Sequence, residues 1–568
     1  MRKIVLLFLI ALSWTALALR TLPIVTDFSR GLAIAETNQP YPPTLLPLEE
    51  GTLVAWLDMS PSSLELITVM IGPAGQPAGK PSPLATGLSC AGPAAFVRSG
   101  SESWLLLLAR ETTGGKRHVY ALSLDGKGTP RGAPIMVSPP AVDIRSYRST
   151  AVGDRIWVSA LGADGSIWAS GLDTATGEVA NWQLGRGIST PDLAADAGGT
   201  LHVVWAQETK SIPYSLLYST GGWAGFSPPA VINESPLATG TIPVPPAVSV
   251  AGGWVYVAAG FEHRGKGADV KAEVKIIAFP NATPHREAGE RLVIPSGYPE
   301  EFPLEWEGLH FFPIRQDRGW PTPLYRPRGF PGRDGVALFT VQAELSRKAK
   351  RAVQPIVVAL KDGAAWGWLP VAMSRDMSYS ADLARSRRGW HVVWQDMLAY
   401  GDYRLFYAST APEERAALNR VGWDDLGYFL GTSVLGIVGG LSLLPLFLMA
   451  AVPGLVILFV HYARGGEERL KYTWPKVLLA ASILPYLVLK IALAGAMGSV
   501  PFAQWLSQSA ATTAGRVLPF VPSLISLGIM GLYCWRREMP SLLPAWLVFV
   551  ISDLALSLLI LGPAFAGG

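Results

Sequence analysis

The series Asp192-Leu193-Ala194, His202-Val203-Val204-Trp205 and Tyr218-Ser219-Thr220 returns almost 190 residues later. The second copy reads Asp382-Leu383-Ala384, His391-Val392-Val393-Trp394 and Tyr407-Ala408-Ser409-Thr410. In both copies the Tyr stands 16 residues after the His. Three parts kept in order and spacing make a structural repeat. The middle part is a short aromatic and β-branched run, which is a strand signal.

The same signal recurs at Leu53-Val54-Ala55-Trp56, Trp104-Leu105-Leu106-Leu107, Ile156-Trp157-Val158 and Trp254-Val255-Tyr256-Val257. Successive runs stand about 45–55 residues apart, close to one four-stranded propeller blade. The interval from Trp254 to Trp390, about 135 residues, holds either one expanded blade or two ordinary ones. It contains the strand-like runs Val336-Ala337-Leu338-Phe339 and Ile356-Val357-Val358-Ala359. Gly308-Leu309-His310-Phe311-Phe312 is a candidate start of a further blade. The expected fold is an all-β propeller of six or seven blades over residues 40–415. Trp56, Trp104, Trp157, Trp205, Trp254 and Trp394 should pack between blades, because large aromatics supply buried area.

The remainder of the chain belongs to another solvent. Charged residues make up only 16% of the 568 and apolar residues 49%, against about 25% charged in soluble domains. Arg2 and Lys3 precede an apolar run over 4–19, which reads as a signal peptide (1–19) or an uncleaved signal anchor. After a linker at 416–425, residues 426–568 predict an α-helical membrane domain of about four helices. Its apolar stretches are 426–462, 474–497, 517–535 and 542–564. Arg464, Arg469, Lys471 and Lys476 follow the first stretch, and Arg536 and Arg537 follow the third. The positive-inside rule puts these loops in the cytoplasm and the propeller outside. Lys490 and Asp553 fall inside spans, 14 residues past Lys476 and 16 past Arg537. Similar depth predicts an intramembrane ion pair, since an unpaired charge in lipid is costly. That pair serves as a structural pin or as part of a proton or substrate path. Cys90 and Cys534, on opposite sides of the membrane in this topology, form no disulfide.

A resemblance enters at Leu217-Tyr218-Ser219-Thr220-Gly221-Gly222-Trp223-Ala224-Gly225-Phe226, which is similar to a worn sialidase Asp-box without its aspartate. Asp362-Gly363-Ala364-Ala365-Trp366 is a partial match. The start, Pro43-Thr44-Leu45 before Gly51-Thr52-Leu53, also resembles that superfamily of propellers. The resemblance implies an arginine for a substrate carboxylate near the start. Here Tyr41 stands at that place, and a phenol cannot replace a bidentate guanidinium.

No catalytic set is assignable from spacing. None of the seven His stands in a metal-ligand spacing, so no metal or cofactor is expected. The repetition of His202 and His391 argues for a structural role. The Pro- and Arg-rich stretch 318–331 reads as a long loop and a candidate binding surface, with Trp320, Tyr325, Arg326, Arg328 and Phe330 as its contact residues. Net charge of +4 is too small to argue for nucleic acid. The expected partners are the cell membrane and either a cell-surface glycan or another membrane protein. The leading expectation is a membrane-anchored, extracytoplasmic binding, sensing or scaffold module without catalysis. The alternatives are a membrane-bound, sialidase-like exo-glycosidase and an accessory subunit of a membrane complex.

Overall fold

The structure is a computed structural model. It describes every residue except 1–26, 61–62, 113, 209–213, 238, 265–270, 295–302, 315–321, 348–349, 372–376, 421–437, 439–440, 442–443, 498–512, 515 and 562–568. The expected leader at 1–19, Trp320 and the head of the first apolar stretch therefore lie outside the described residues. The chain divides into two units. One is built from Ile24–Ser346 and Arg351–Arg420, and the other contains Val421–Gly568.

The first unit is a seven-bladed β-propeller. Each repeated run is the second strand of a blade: Thr52–Met59, Glu102–Arg110, Arg155–Gly162, Leu201–Gln207, Trp254–His263, Val336–Arg347 and Trp390–Ala399. These strands read as unbroken apolar runs because both faces are buried between neighbouring blades. In blade two, Leu105 and Leu107 pack toward blade one, while Leu106 and Leu108 pack toward blade three. Seven apolar clusters fill the seven seams. The six tryptophans expected between blades all lie in or against these clusters.

The ring closes through its N-terminal strand. Leu32–Thr37 pairs with Asp402–Ser409 and completes blade seven, so the propeller begins ahead of residue 40.

The long interval is one expanded blade. Its sheet contains Leu304–Trp306, Leu309–Pro313, Ala364–Pro370, Lys350–Lys361, Val336–Arg347 and Leu324–Arg333. The run at Gly308 therefore forms outer strands of blade six and begins no blade of its own. The expected loop at 318–331 is also corrected: Leu324–Arg333 is the innermost strand of blade six. Prolines are tolerated at a sheet edge and at bulges. Its glycines are required by close approach. A Cβ on Gly329 would stand 2.1 Å from the Val248 carbonyl oxygen, and one on Gly332 would stand 2.1 Å from that of Val250.

Five helices follow among the described residues: α1 (Pro412–Leu418), α2 (Leu444–Ala463), α3 (Thr473–Met497), α4 (Phe520–Arg536) and α5 (Leu542–Leu561). Helix α1 lies in the expected linker and belongs to the propeller unit. It starts with Pro412 and carries Glu413 and Glu414 in its first turn, both favourable at a helix N-terminus. Helices α2 to α5 pack around Tyr486, Trp546 and Phe549. Gly454 lets α2 approach α3, since a Cβ there would lie 2.3 Å from the Ser482 carbonyl oxygen. By length and composition, one described helix is able to cross a membrane, Leu542–Ile560.

Candidate functional site

The innermost strand of each blade packs on its neighbours around the central channel. In blades six and seven these strands break register at matching places, between Tyr325 and Arg328 and between Tyr379 and Asp382. Each break holds a non-glycine residue in the left-handed region, Arg326 at φ 45° and Ser380 at φ 50°. Such residues cost about 1–3 kcal/mol and cluster where geometry serves a task. Bulges re-aim side chains. Here the Arg326 guanidinium carbon comes 5.6 Å from the centre of the Tyr379 ring. Burial pushes the Tyr325 hydroxyl up to about 12, and the negative charges of Glu344 and Glu262 add to it. Burial also raises Tyr379, against the charge of Arg326.

Past the bulges lies a charge-balanced cluster. Arg328 meets Asp382 Oδ1 at 3.0 Å. Asp382 Oδ2 accepts hydrogen bonds from Thr44 Oγ1 (2.9 Å) and the Leu45 amide (3.2 Å), tying blade seven to blade one. Asp192 does the same between blades four and five, accepting from the Val248 amide at 2.9 Å. Burial raises the Asp192 carboxyl, and Arg148 pulls it back. Arg148, on the first strand of blade three, stands in the field of all three groups. Burial lowers its guanidinium, then the like charge of Arg328, while Asp192 and Asp382 oppose both. The Arg148 backbone pairs with Ser159 in the ladder, but its side chain makes no hydrogen bond among the described residues. Its neighbour Tyr147 is fixed, with its hydroxyl shared between the carbonyls of Leu106 (2.9 Å) and Pro93 (3.1 Å). Among the described residues the cluster thus offers one guanidinium fork without a hydrogen bond, in the field of two carboxylates pinned by backbone amides.

The repeated histidines are fully buried. His202 Nδ1 lies 2.7 Å from the Tyr218 hydroxyl, and His391 Nδ1 lies 2.7 Å from that of Tyr407. His202 Nε2 is 3.5 Å from Asp196. His391 Nε2 is 2.8 Å from Ser386 Oγ, and Tyr407 donates to Glu414 of α1 at 2.6 Å.

Of the residues expected at a binding surface, Tyr325 and Arg326 sit at the blade-six bulge, and Arg328 lies in the cluster. Phe330 is only 8% exposed and packs in the seam of blades six and seven, because alternate residues of an inner strand face neighbouring blades. Tyr41 packs in the seam of blades one and two, and its carbonyl accepts from Gln395 Nε2 at 2.8 Å. The Asp-box-like segment forms the turn between Ser215–Gly222 and Gly225–Phe226. In the helical unit Lys490 Nζ lies 2.7 Å from both Asp553 oxygens. Ser523 Oγ accepts from Lys490 at 3.0 Å and donates to Asp553 at 2.8 Å, and Tyr486 also donates to Asp553. Sequence reasoning missed Arg148 and Glu414. Asp192 and Asp382 were visible only as repeat markers.

No family model and no curated protein matches the chain. Solved structures are similar at low identity. The β-propeller domain of the Trilobed protease from Pyrococcus furiosus is 13% identical, over 64% of this chain and 95% of that one, with a TM-score of 0.36. The polysaccharide lyase Uly1 is 8% identical over 67% and 90%, with a TM-score of 0.40. A Trypanosoma rangeli sialidase is 10% identical over 60% and 57%, with a TM-score of 0.36.

Proposed function

We propose that this chain is a membrane-anchored, extracytoplasmic recognition module. Its channel binds an anionic ligand, a carboxylate-bearing saccharide being the class that fits best, without glycoside cleavage. The observation that carries this is Arg148. A half-buried guanidinium whose side chain has no hydrogen bond among the described residues, lying in the field of two carboxylates and a second arginine, is an incomplete site for a planar anion. The neighbouring carboxylates are committed to backbone amides and to Arg328, which favours holding a ligand over turning one over. Anchoring is supported by the apolar helix Leu542–Ile560 and by the exposed aromatics Tyr472, Trp474 and Trp535 beside the basic loops, the pattern of an interfacial belt.

The test is binding of uronate- and sialyl-terminated oligosaccharides to the full chain in detergent, with neutral oligosaccharides as reference. Arg148→Ala should weaken the acidic ligands about tenfold or more, the worth of a charge-assisted bidentate contact. Equal binding by the variant and the parent would remove the proposal.

A second reading, exo-glycosidase action, is favoured by Tyr325 and Tyr379 standing in the field of Glu262. Turnover of fluorogenic glycosides that disappears in Tyr325→Phe would establish it over the first.

A further inference from the structure

The helical unit carries a groove that the channel reading leaves unused. It lies between α3 and α4 and encloses about 580 Å³. Leu479, Ile483 and Leu487 line one wall, at the i, i+4 spacing that keeps side chains on one helix face. Leu527, Met530 and Cys534 line the other at i+3 and i+4. Lys476, itself exposed, closes one end beside Pro540.

That end is basic. The loops 464–472 and 537–541 are joined there, with the Leu470 amide donating to Pro540 at 3.0 Å and the Leu542 amide donating to Glu468 at 2.9 Å. Together with the helix ends they bring Arg464, Arg469, Lys471, Lys476, Arg536 and Arg537 against only Glu467, Glu468 and Glu538. Tyr472 (52% exposed), Trp474 (64%) and Trp535 (83%) stand at the same end, as aromatic side chains do at headgroup depth. From Lys476 to Leu487 the groove runs about 16 Å at ~1.5 Å per helical residue. One leaflet of a hydrocarbon core is about 15 Å thick. An apolar slot one leaflet long, with a cation at its mouth, has the dimensions of a single lipid chain and its phosphate.

We infer that the groove between α3 and α4 holds one acyl chain of an anionic phospholipid, with the lipid phosphate against Lys476. This rests on the membrane-anchored reading. The lipid orders the two helices on one side and neutralises part of the basic loops on the other.

The experiment is native mass spectrometry of the full chain, delipidated in detergent and then exchanged against vesicles of phosphatidylglycerol or phosphatidylcholine. Phosphatidylglycerol should be retained about fivefold over phosphatidylcholine. Lys476→Gln should remove that preference, about the worth of one interfacial cation. Ile483→Trp, which fills the slot, should abolish retention of both lipids. Its folding is read separately from an unchanged helical circular dichroism signal, and a variant that loses this signal is replaced by Leu487→Phe. Equal retention of the two lipids by the parent, or a preference that survives Lys476→Gln, overturns the lipid site. Alkaline carbonate extraction of membranes tests the underlying reading. A chain released by carbonate removes both proposals, and a chain that stays without lipid preference removes only this one.

Discussion

Blades four and seven hold the same pair of side chains and make different use of it. In each, the His of one strand and the Tyr of the next are diagonal neighbours: His202 opposes Thr220 and Tyr218 opposes Val204, while His391 opposes Ser409 and Tyr407 opposes Val393. Diagonal positions on one sheet face are within reach of long side chains. The 16-residue spacing is the length of one hairpin returning to that diagonal. What differs lies at the two ends of the pair. Blade four places Asp196 at Nε2 of its His and leaves Tyr218 bonded to His202 alone among the described residues. Blade seven places Ser386 at Nε2 and continues from Tyr407 to Glu414, a buried carboxylate from outside the repeat.

The partners assign opposite tautomers. A carboxylate only accepts. Tyr407 must therefore give its proton to Glu414 and accept from Nδ1–H of His391, whose bare Nε2 then accepts from Ser386. In blade four the Asp196 carboxylate stands 3.5 Å from Nε2 of His202 without completing a hydrogen bond; its negative charge favours the proton on Nε2, which leaves Nδ1 to accept from Tyr218. Repetition fixes the pair, and the parts that do not repeat decide its polarity. The pair in blade seven pins α1, the helix by which the chain leaves the ring, onto the seam with blade one.

The comparison breaks most readily at the tyrosines. Tyr407→Phe strips Glu414 of its 2.6 Å donor and His391 of its acceptor, at about 3 kcal/mol, because it leaves a buried charge poorly paired. Tyr218→Phe removes one neutral bond and should cost about 1 kcal/mol. Denaturation midpoints followed by tryptophan fluorescence on the full chain in detergent will separate them. Equal shifts would mean that Glu414 is held by something other than Tyr407.

Acid sharpens the comparison next. Burial, followed by the charge of Arg388, pushes the His391 imidazole down to about 4. Its folded pKa is below the unfolded one, so its contribution is complete above ~6.5 and is lost as pH falls toward about 4. Glu414 has the opposite sign. Burial raises its carboxyl, with Tyr407 and Arg388 opposing and Glu413 assisting, so its penalty at neutral pH is relieved as pH falls. The net acid loss in this window should be about 2 kcal/mol. His391→Gln should flatten it and Glu414→Gln should steepen it. His202 is also lowered by burial, but Asp196 opposes the shift. His202→Gln should therefore change the limb less. An unchanged profile in His391→Gln would show that acid acts elsewhere.

The sequence made the second strands legible because burial on both faces leaves no polar alternation to hide them. Blade six was illegible for the converse reason. Its inner strand carries Pro327, Gly329, Pro331 and Gly332, which locally spell a loop, and only the Val248 and Val250 carbonyls explain those glycines. Tyr325, Arg326 and Arg328 were singled out as a loop surface and are brought to the channel by a bulged strand instead. Arg148 had no local signal at all. The charges whose field it feels, Asp192, Arg328 and Asp382, come from blades four, six and seven, and only closure of the ring brings them near it. Glu414 looked like one more charge in a linker. Its proper signal was the unpaired end of the second Tyr, which the spacing displayed but could not complete.

The finest division between the two blades is the turn residue four places past each inner Asp, Asp196 against Ser386. Ser386→Asp gives blade seven the acceptor of blade four. Nε2 of His391 must then carry a proton, and Nδ1 can keep its own, facing Tyr407, only if the ring becomes charged. The variant should raise His391 from about 4 toward the ordinary imidazole range, read from histidine ¹⁵N shifts against pH. It should cost about 1 kcal/mol, the worth of one misdirected bond. Asp196→Ser meets no such conflict. A hydroxyl either donates or accepts, and Tyr218 has no carboxylate to satisfy, so His202 keeps or switches its tautomer freely; the stability cost, about 1–2 kcal/mol, comes instead from the Gly198 and Thr200 amides and Asn281 Nδ2, which lose the carboxylate they donate to. If the two exchanges titrate alike, Glu414 does not set the direction of the chain of bonds. If only Ser386→Asp shifts its histidine, the helix that leaves the propeller governs the proton on His391.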